Sequence, residues 1–268
     1  MFAHRALDVQ LSNAGYVVVR LLDPDQVVAV RAAVEAAGPA PGDPRTGLFN
    51  DTWSTDHRYK VTTAAALRTA LAGVVPATFT GHRNLAWTTI TKWPGTEGAV
   101  VAHRDPSFVD EPGHASYGIW CALDDLGPAQ GTLYVVPGSH RGAPPIRVHQ
   151  STDNLDPGLD PATDPRAETI SLAAGDALVY HHGLLHGSGP NQTAHQRSVV
   201  AGLLVPDGVP ARYSVELEPG RGATVEVDPD FFVDLRLDHL DLDAVLARCS
   251  RIDTLRRRPD GRWMTDPA

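Results

Sequence analysis

Residues 175–191 read Gly-Asp-Ala-Leu-Val-Tyr-His-His-Gly-Leu-Leu-His-Gly-Ser-Gly-Pro-Asn, and residues 197–205 read Arg-Ser-Val-Val-Ala-Gly-Leu-Leu-Val. Two short apolar runs flank a turn rich in Gly, His and Pro, which is the pattern of paired strands rather than of helix. Upstream, His103-Arg104-Asp105 closes another such run. On a strand, residues i and i+2 point to one face, so both side chains of an H-x-D can reach a single metal. Two imidazoles and a carboxylate are the donor set that suits a non-haem ferrous ion while leaving positions open opposite. The second imidazole must come from a distant strand. His181, His182, His186 and His195 are the candidates, and of the adjacent pair 181/182 at most one faces the metal side.

Working outward, β-rich runs recur at 85–92, 99–104, 116–123, 131–136, 168–172, 176–181, 197–205 and 213–217. Such spacing favours an antiparallel barrel or sandwich, a jelly roll or a relative of one. Ahead of them, residues 15–22 read as a strand and 24–37 as an amphipathic helix, with Asp23 as N-cap, Pro24 at the first position and Gly38 as the stop. A second helix is expected over 64–72, and the tail is partly helical around 240–249. The segment 140–167 is rich in Pro, Asp and Gly and longer than a hairpin needs, so it reads as a lid over the site. The division expected is one domain over 1–268, with an N-terminal strand and helices at 1–83, the β core at 84–217 and a C-terminal extension at 218–268 to which the sequence assigns no chemistry.

A chain of 268 residues can bury one substantial core, and its 42% hydrophobic and 21% charged content is that of a globular protein. The net charge of −9 argues against nucleic acid or an anionic membrane as partner. Two cysteines, with Cys121 inside an apolar run, make no disulfide framework. No stretch reads as a transmembrane helix and no secretion signal is visible, so a cytoplasmic location is expected. The abundance of Pro, Gly, Ala and Arg hints at a high-GC bacterial source.

The H-R-D at 103–105, the run Gly-Thr-Leu-Tyr-Val-Val-Pro-Gly-Ser-His at 131–140, and the H-G-S-G-P-N with its arginine at 186–197 resemble the phytanoyl-CoA dioxygenase group of Fe(II)/2-oxoglutarate-dependent oxygenases. Asn-Ala-Gly-Tyr-Val-Val-Val-Arg at 13–20 resembles that family's opening strand. The resemblance covers roughly residues 7–206 and points to no single substrate. It implies a mainly β (α+β) fold, a double-stranded β-helix of jelly-roll, cupin-like form buttressed by N-terminal helices. It implies His103, Asp105 and His186 as the Fe(II) ligands; His181, the alternative to His186, otherwise reads as supporting the site or packing beneath it. Arg197, eleven residues after His186, and Ser188, two after it, stand where the family binds the C5 carboxylate of 2-oxoglutarate. A planar guanidinium suits that carboxylate because it donates two parallel charge-assisted bonds. A related halogenating subgroup has Gly or Ala in place of the carboxylate, so Asp105 favours hydroxylation.

Lys92, Trp120 and Thr132 are further candidates for the cosubstrate wall, against exposure for the lysine and packing for the tryptophan. Asp110, Glu111 and His114 could edge the site, His140 reads as a lid hinge, and Asn191 as shaping the turn after the distal ligand. The function expected is oxygenation of an aliphatic carbon of a small molecule in bacterial specialised metabolism, consuming O2 and 2-oxoglutarate and releasing succinate and CO2. Rival readings are a cupin-like metalloenzyme that does without 2-oxoglutarate and a catalytically silent ligand-binding protein of the same fold. Monomer and homodimer both stand open.

Overall fold

The computed structural model describes residues 1–149, 151–236 and 238–266. The chain opens with α1 (Arg5–Ala14), β1 (Tyr16–Arg20) and α2 (Pro24–Ala37), followed by β2 (Leu48–Asn50), α3 (His57–Ala70) and α4 (Val74–Thr78). The centre holds β3 (His82–Lys92), β4 (Val100–His103), β5 (Tyr117–Ala122), β6 (Leu133–Val135), β7 (Glu168–Thr169), β8 (Asp176–His181), β9 (His186–Ser188) and β10 (Arg197–Pro206). The C-terminal part adds β11 (Ala211–Glu218), β12 (Arg221–Val227), α5 (Phe231–Asp234), α6 (Leu242–Arg248), β13 (Arg251–Arg257) and β14 (Trp263–Thr265).

From β3 to β10 the chain passes repeatedly between two antiparallel sheets, one ordered β1-β8-β5-β10-β3-β2 and the other β4-β9-β6-β7. That alternation is the winding of a double-stranded β-helix. Trp120, Leu133, Val135, Leu178 and Val199 form a buried cluster drawn from both sheets. A larger cluster joins the long sheet to the N-terminal helices through Val17, Val30, Leu67, Leu71 and Leu204. Two packed layers around apolar faces are what alternating strands and amphipathic helices require.

The start of α2 follows its sequence signals. Asp23 accepts from the Gln26 backbone N–H at 2.8 Å while the Gln26 side chain accepts from the Asp23 N–H at 2.9 Å, a closed capping box. The helix expected over 64–72 begins earlier, because the Asp56 side chain caps the Tyr59 N–H at 3.1 Å. One sequence expectation needs correcting here. The stretch His57–Thr78, 22 residues long, is by length and composition apolar enough to cross a membrane. In the fold, its Leu67, Val74 and Val75 are buried in the core cluster under the long sheet.

The C-terminal boundary of the β core also moves. The run expected at 213–217 is not a core strand but lies in β11, which pairs with β12 and opens a third antiparallel sheet, β11-β12-β13-β14. This sheet has its own cluster of Tyr213, Val215, Val225, Phe231 and Phe232, joined by Phe108 from the core. By strand pairing the double-stranded β-helix therefore ends with β10.

Candidate metal centre

His103 and His186 are ladder partners in the β4–β9 pair, so the antiparallel register sets their rings side by side, tilted by 46° with centroids 4.4 Å apart. Asp105 lies just beyond the end of β4, not on the strand as the H-x-D spacing suggested. Its backbone is fixed instead by two long-range bonds, its N–H to the His182 carbonyl at 3.0 Å and its carbonyl to Arg147 Nε at 2.6 Å. The carboxylate turns back toward the histidines, with Oδ1 at 3.6 Å from His103 Nε2 and Oδ2 at 3.8 Å from His186 Nε2. One ligand atom from each of the three residues falls within 4.8 Å of the others.

Both imidazoles are held the same way. His103 Nδ1 lies 2.9 Å from the Val101 carbonyl, and His186 Nδ1 lies 3.0 Å from the Leu184 carbonyl. A carbonyl only accepts, so Nδ1 carries the proton and a neutral ring keeps its Nε2 lone pair for the site. Burial, and then the neighbouring His103, pull His186 down to about 4, which keeps it neutral at physiological pH. Burial alone would raise the Asp105 carboxyl. Its interactions with the His186, His103 and His182 imidazoles outweigh it and hold the group well below the usual carboxylate range. The donor set is therefore one anion and two imidazoles of fixed orientation, which fits a divalent transition metal.

Beyond the triad lies the wall expected for the cosubstrate. Arg197 is buried, with its guanidinium 4.9 Å over the Trp120 ring and one terminal nitrogen bonded to the Gly131 carbonyl at 2.6 Å. Its other terminal nitrogen, Nη1, is buried without a partner. An unpartnered cationic donor of this kind fits an incoming carboxylate. Lys92 is fully buried opposite Arg197 in the β3–β10 ladder, and its Nζ donates to Ser188 Oγ at 2.6 Å and to the Gly189 carbonyl at 2.5 Å. Gly131 approaches this corner so closely that a side chain there would run into the Gly189 and Pro190 carbonyls. Thr132 does not join the cluster, because its hydroxyl is bonded to the Ile170 carbonyl at 2.7 Å.

The rival histidines have other work. His181 accepts from the Gly183 N–H at 2.8 Å and packs beside Tyr117 and His140. His182 is buried with Nδ1 at 2.8 Å from Ser116 Oγ, and the His195 carbonyl accepts from Asn191, which braces the turn. Glu111 is not a free rim group. It takes two bonds of 2.5 Å from the buried Arg147, tying 140–149 to the loop after β4.

A cavity of about 580 Å³ opens onto the triad and takes in Trp120, Ser188 and Arg197. The segment expected to be a lid supplies Ser151, Asn154 and Leu155 to its wall. It runs along β4, with the Arg104 N–H bonded to the Asn154 carbonyl at 2.9 Å and the Asp156 N–H to the Ala102 carbonyl at 2.7 Å. Sequence reasoning missed the rest of the wall. Asn50 and Trp53 come from the N-terminal side, Thr88 from β3, and Tyr213, Phe232 and Asp238 from the C-terminal part. Those residues carry no motif, and only the packing of the third sheet brings the last three to the cavity.

The profile of the family described as Phytanoyl-CoA dioxygenase (PhyH) matches residues 11–199, and the chain belongs to that family. It is 30% identical over 116 residues to Phytanoyl-CoA dioxygenase 1 of Oryza sativa subsp. japonica, an alignment covering 42% of this chain and 41% of the rice protein. The chain spans about two fifths of the length of the curated relatives it matches. Among solved structures it is similar to EvdO2 from Micromonospora carbonacea var. aurantiaca, complexed with 2-oxoglutarate, at a TM-score of 0.55, with 18% identity and coverage of 82% of this chain and 96% of that one. HygX from Streptomyces hygroscopicus, with nickel and 2-oxoglutarate bound, is similar at a TM-score of 0.53, with 17% identity over 76% of this chain and 88% of that one. At these identities the likeness is one of fold, and it agrees with the double-stranded β-helix described above.

Proposed function

We propose that this protein is a non-haem iron oxygenase that consumes 2-oxoglutarate and O2 and hydroxylates an aliphatic carbon of a small molecule. The observation that carries the proposal is the presence in one cavity of a three-residue donor set and a buried guanidinium with an unpartnered nitrogen. A metal site alone fits many reactions, whereas the pair fits a chelating keto acid with a second carboxylate. The reading without 2-oxoglutarate leaves the Arg197 nitrogen unexplained, and membership of the family supports the same choice.

His103, Asp105 and His186 would hold the iron. Bound there with 2-oxoglutarate and O2, it supplies the oxidising power to break an unactivated C–H bond, with succinate and CO2 as co-products. The rest is the work of the chain. Arg197 and Ser188 anchor the far carboxylate, Trp120 backs the guanidinium, and the largely apolar cavity excludes water from the reacting carbon. Asp105 is the carboxylate that the related halogenating subgroup replaces with Gly or Ala, which supports hydroxylation over halogenation.

Leu48, Ile90, Phe108 and Phe232 give the cavity an apolar body, and Asn50, Thr88 and Asn154 add neutral hydrogen-bonding groups. The guanidinium of Arg104, also on the wall, is engaged with the Gly183 and Ser139 carbonyls. The wall thus suits a small, mostly apolar molecule with a few hydroxyl or amide groups.

The test uses anaerobic protein with ferrous iron and 2-oxoglutarate. A visible charge-transfer absorption is expected, succinate should follow admission of O2, and His186→Ala should lose both. Wild-type protein that neither binds 2-oxoglutarate nor forms succinate would overturn the proposal. A product heavier than its substrate by one oxygen atom separates hydroxylation from desaturation.

A further inference from the structure

We infer that Tyr180 is a positioning residue for Asp105, whose phenol holds the carboxylate so that a single oxygen is offered to the metal and thereby sets the affinity of the centre. The inference rests on the metal-centre reading above.

Tyr180 lies on β8 in the long sheet, while His103 and His186 lie on the opposite sheet, so its side chain reaches across the sandwich. Its hydroxyl donates to Asp105 Oδ2 at 3.0 Å, and its ring stands 4.7 Å from that of His186. The room it occupies is made by one residue. Gly118 is its ladder partner on β5, and a Cβ at 118 would overlap the phenol ring.

The consequence follows from what else holds Asp105. Its backbone N–H and carbonyl are both pinned, by the His182 carbonyl and by Arg147 Nε. Those backbone bonds leave the side-chain torsions χ1 and χ2 to be set, and among the described residues Tyr180 provides the one hydroxyl bonded to the carboxylate. A carboxylate with both oxygens free can chelate a divalent ion through the two of them and take a position the cosubstrate needs. A hydrogen bond to Oδ2 leaves Oδ1 as the better donor, and such supporting bonds typically account for 10- to 100-fold in metal affinity.

The experiment titrates Co(II) into metal-free full-length protein and follows ligand-field absorption, which requires no turnover. Tyr180→Phe keeps the ring and its packing, so the melting temperature of the metal-free protein should stay within a few degrees of wild type. The Co(II) dissociation constant should rise by about 10- to 100-fold. In an Asp105→Ala background the same substitution should change it less than twofold, as expected if Tyr180 acts through Asp105. Equal losses with and without Asp105, or a Tyr180→Phe constant within twofold of wild type, would overturn the inference. Should Tyr180→Phe not fold, Gly118→Ala displaces the phenol and carries the same expectation. Wild-type protein that binds no Co(II) would instead sink the metal-centre reading itself, a distinct result.

Discussion

Arg197 and Lys92 stand directly opposite each other in the β10–β3 ladder, two buried basic groups whose side-chain bonds among the described residues run to carbonyls and one serine hydroxyl, with no carboxylate among them. Burying like charges side by side is unfavourable unless something offsets it. A dicarboxylate cosubstrate is the natural complement, and several expectations follow from that imbalance and from the triad beside it.

Arg197→Lys should weaken 2-oxoglutarate binding by at least about 10-fold, since it removes a charge-assisted bond of roughly 1.5–3 kcal/mol while keeping the charge. Anaerobic titration of the charge-transfer band measures it. Unchanged affinity would remove Arg197 from the cosubstrate site.

Lys92 governs a pH effect. Burial, with the charge of Arg197 beside it, pulls its ammonium from 10.5 down to about 7. Between those values the unfolded chain binds more protons than the folded one, so the Lys92 contribution makes stability of the metal-free protein rise with pH from about 7 to about 10. Lys92→Met should flatten that rise and stabilise the protein at pH 7 by roughly 1–4 kcal/mol. Denaturant midpoints at pH 7 and pH 9 check both parts.

Metal should stabilise the fold. At an Fe(II) or Co(II) concentration 100 times the dissociation constant, linkage gives about 2.7 kcal/mol. For a chain of this size that is a rise of roughly 5–10 °C in melting temperature. Chelator should reverse it, and His103→Ala should abolish it.

Phe232 tests the C-terminal wall. It is buried and packs against Phe108, Tyr213 and Phe231. Phe232→Ala should cost about 3–5 kcal/mol of stability by the usual large-to-small penalty. Its effect on 2-oxoglutarate affinity should be less than twofold, because Arg197 and Ser188 lie on the core strands and not on this wall.

Much of the site was legible because its chemistry is local in sequence. The H-R-D, the H-x-S and the arginine after it sit at fixed spacings around strand ends, and the structure brings them into one cavity. What stayed illegible depends on contacts between distant segments. Asp105 owes its place to His182 and Arg147 rather than to strand periodicity. The three-residue β9 is too short and Gly-rich to announce itself as a strand. Thr132 follows the right glycine, yet its hydroxyl turns to Ile170.

The sequence by itself determined the fold class, through alternation and turn residues, and singled out His103, Asp105, His186 and Arg197 through motifs that resemble the family's, because these are properties of neighbours along the chain. Only the tertiary structure decided that His103 and His186 are ladder partners, that Tyr180 reaches across the sandwich to Asp105 through the space left by Gly118, and that a third sheet closes the cavity. Each of those rests on strand register or on packing between sheets. A shift of one residue in either sheet would turn the same side chains to the opposite face, and nothing local in the sequence records which register was taken.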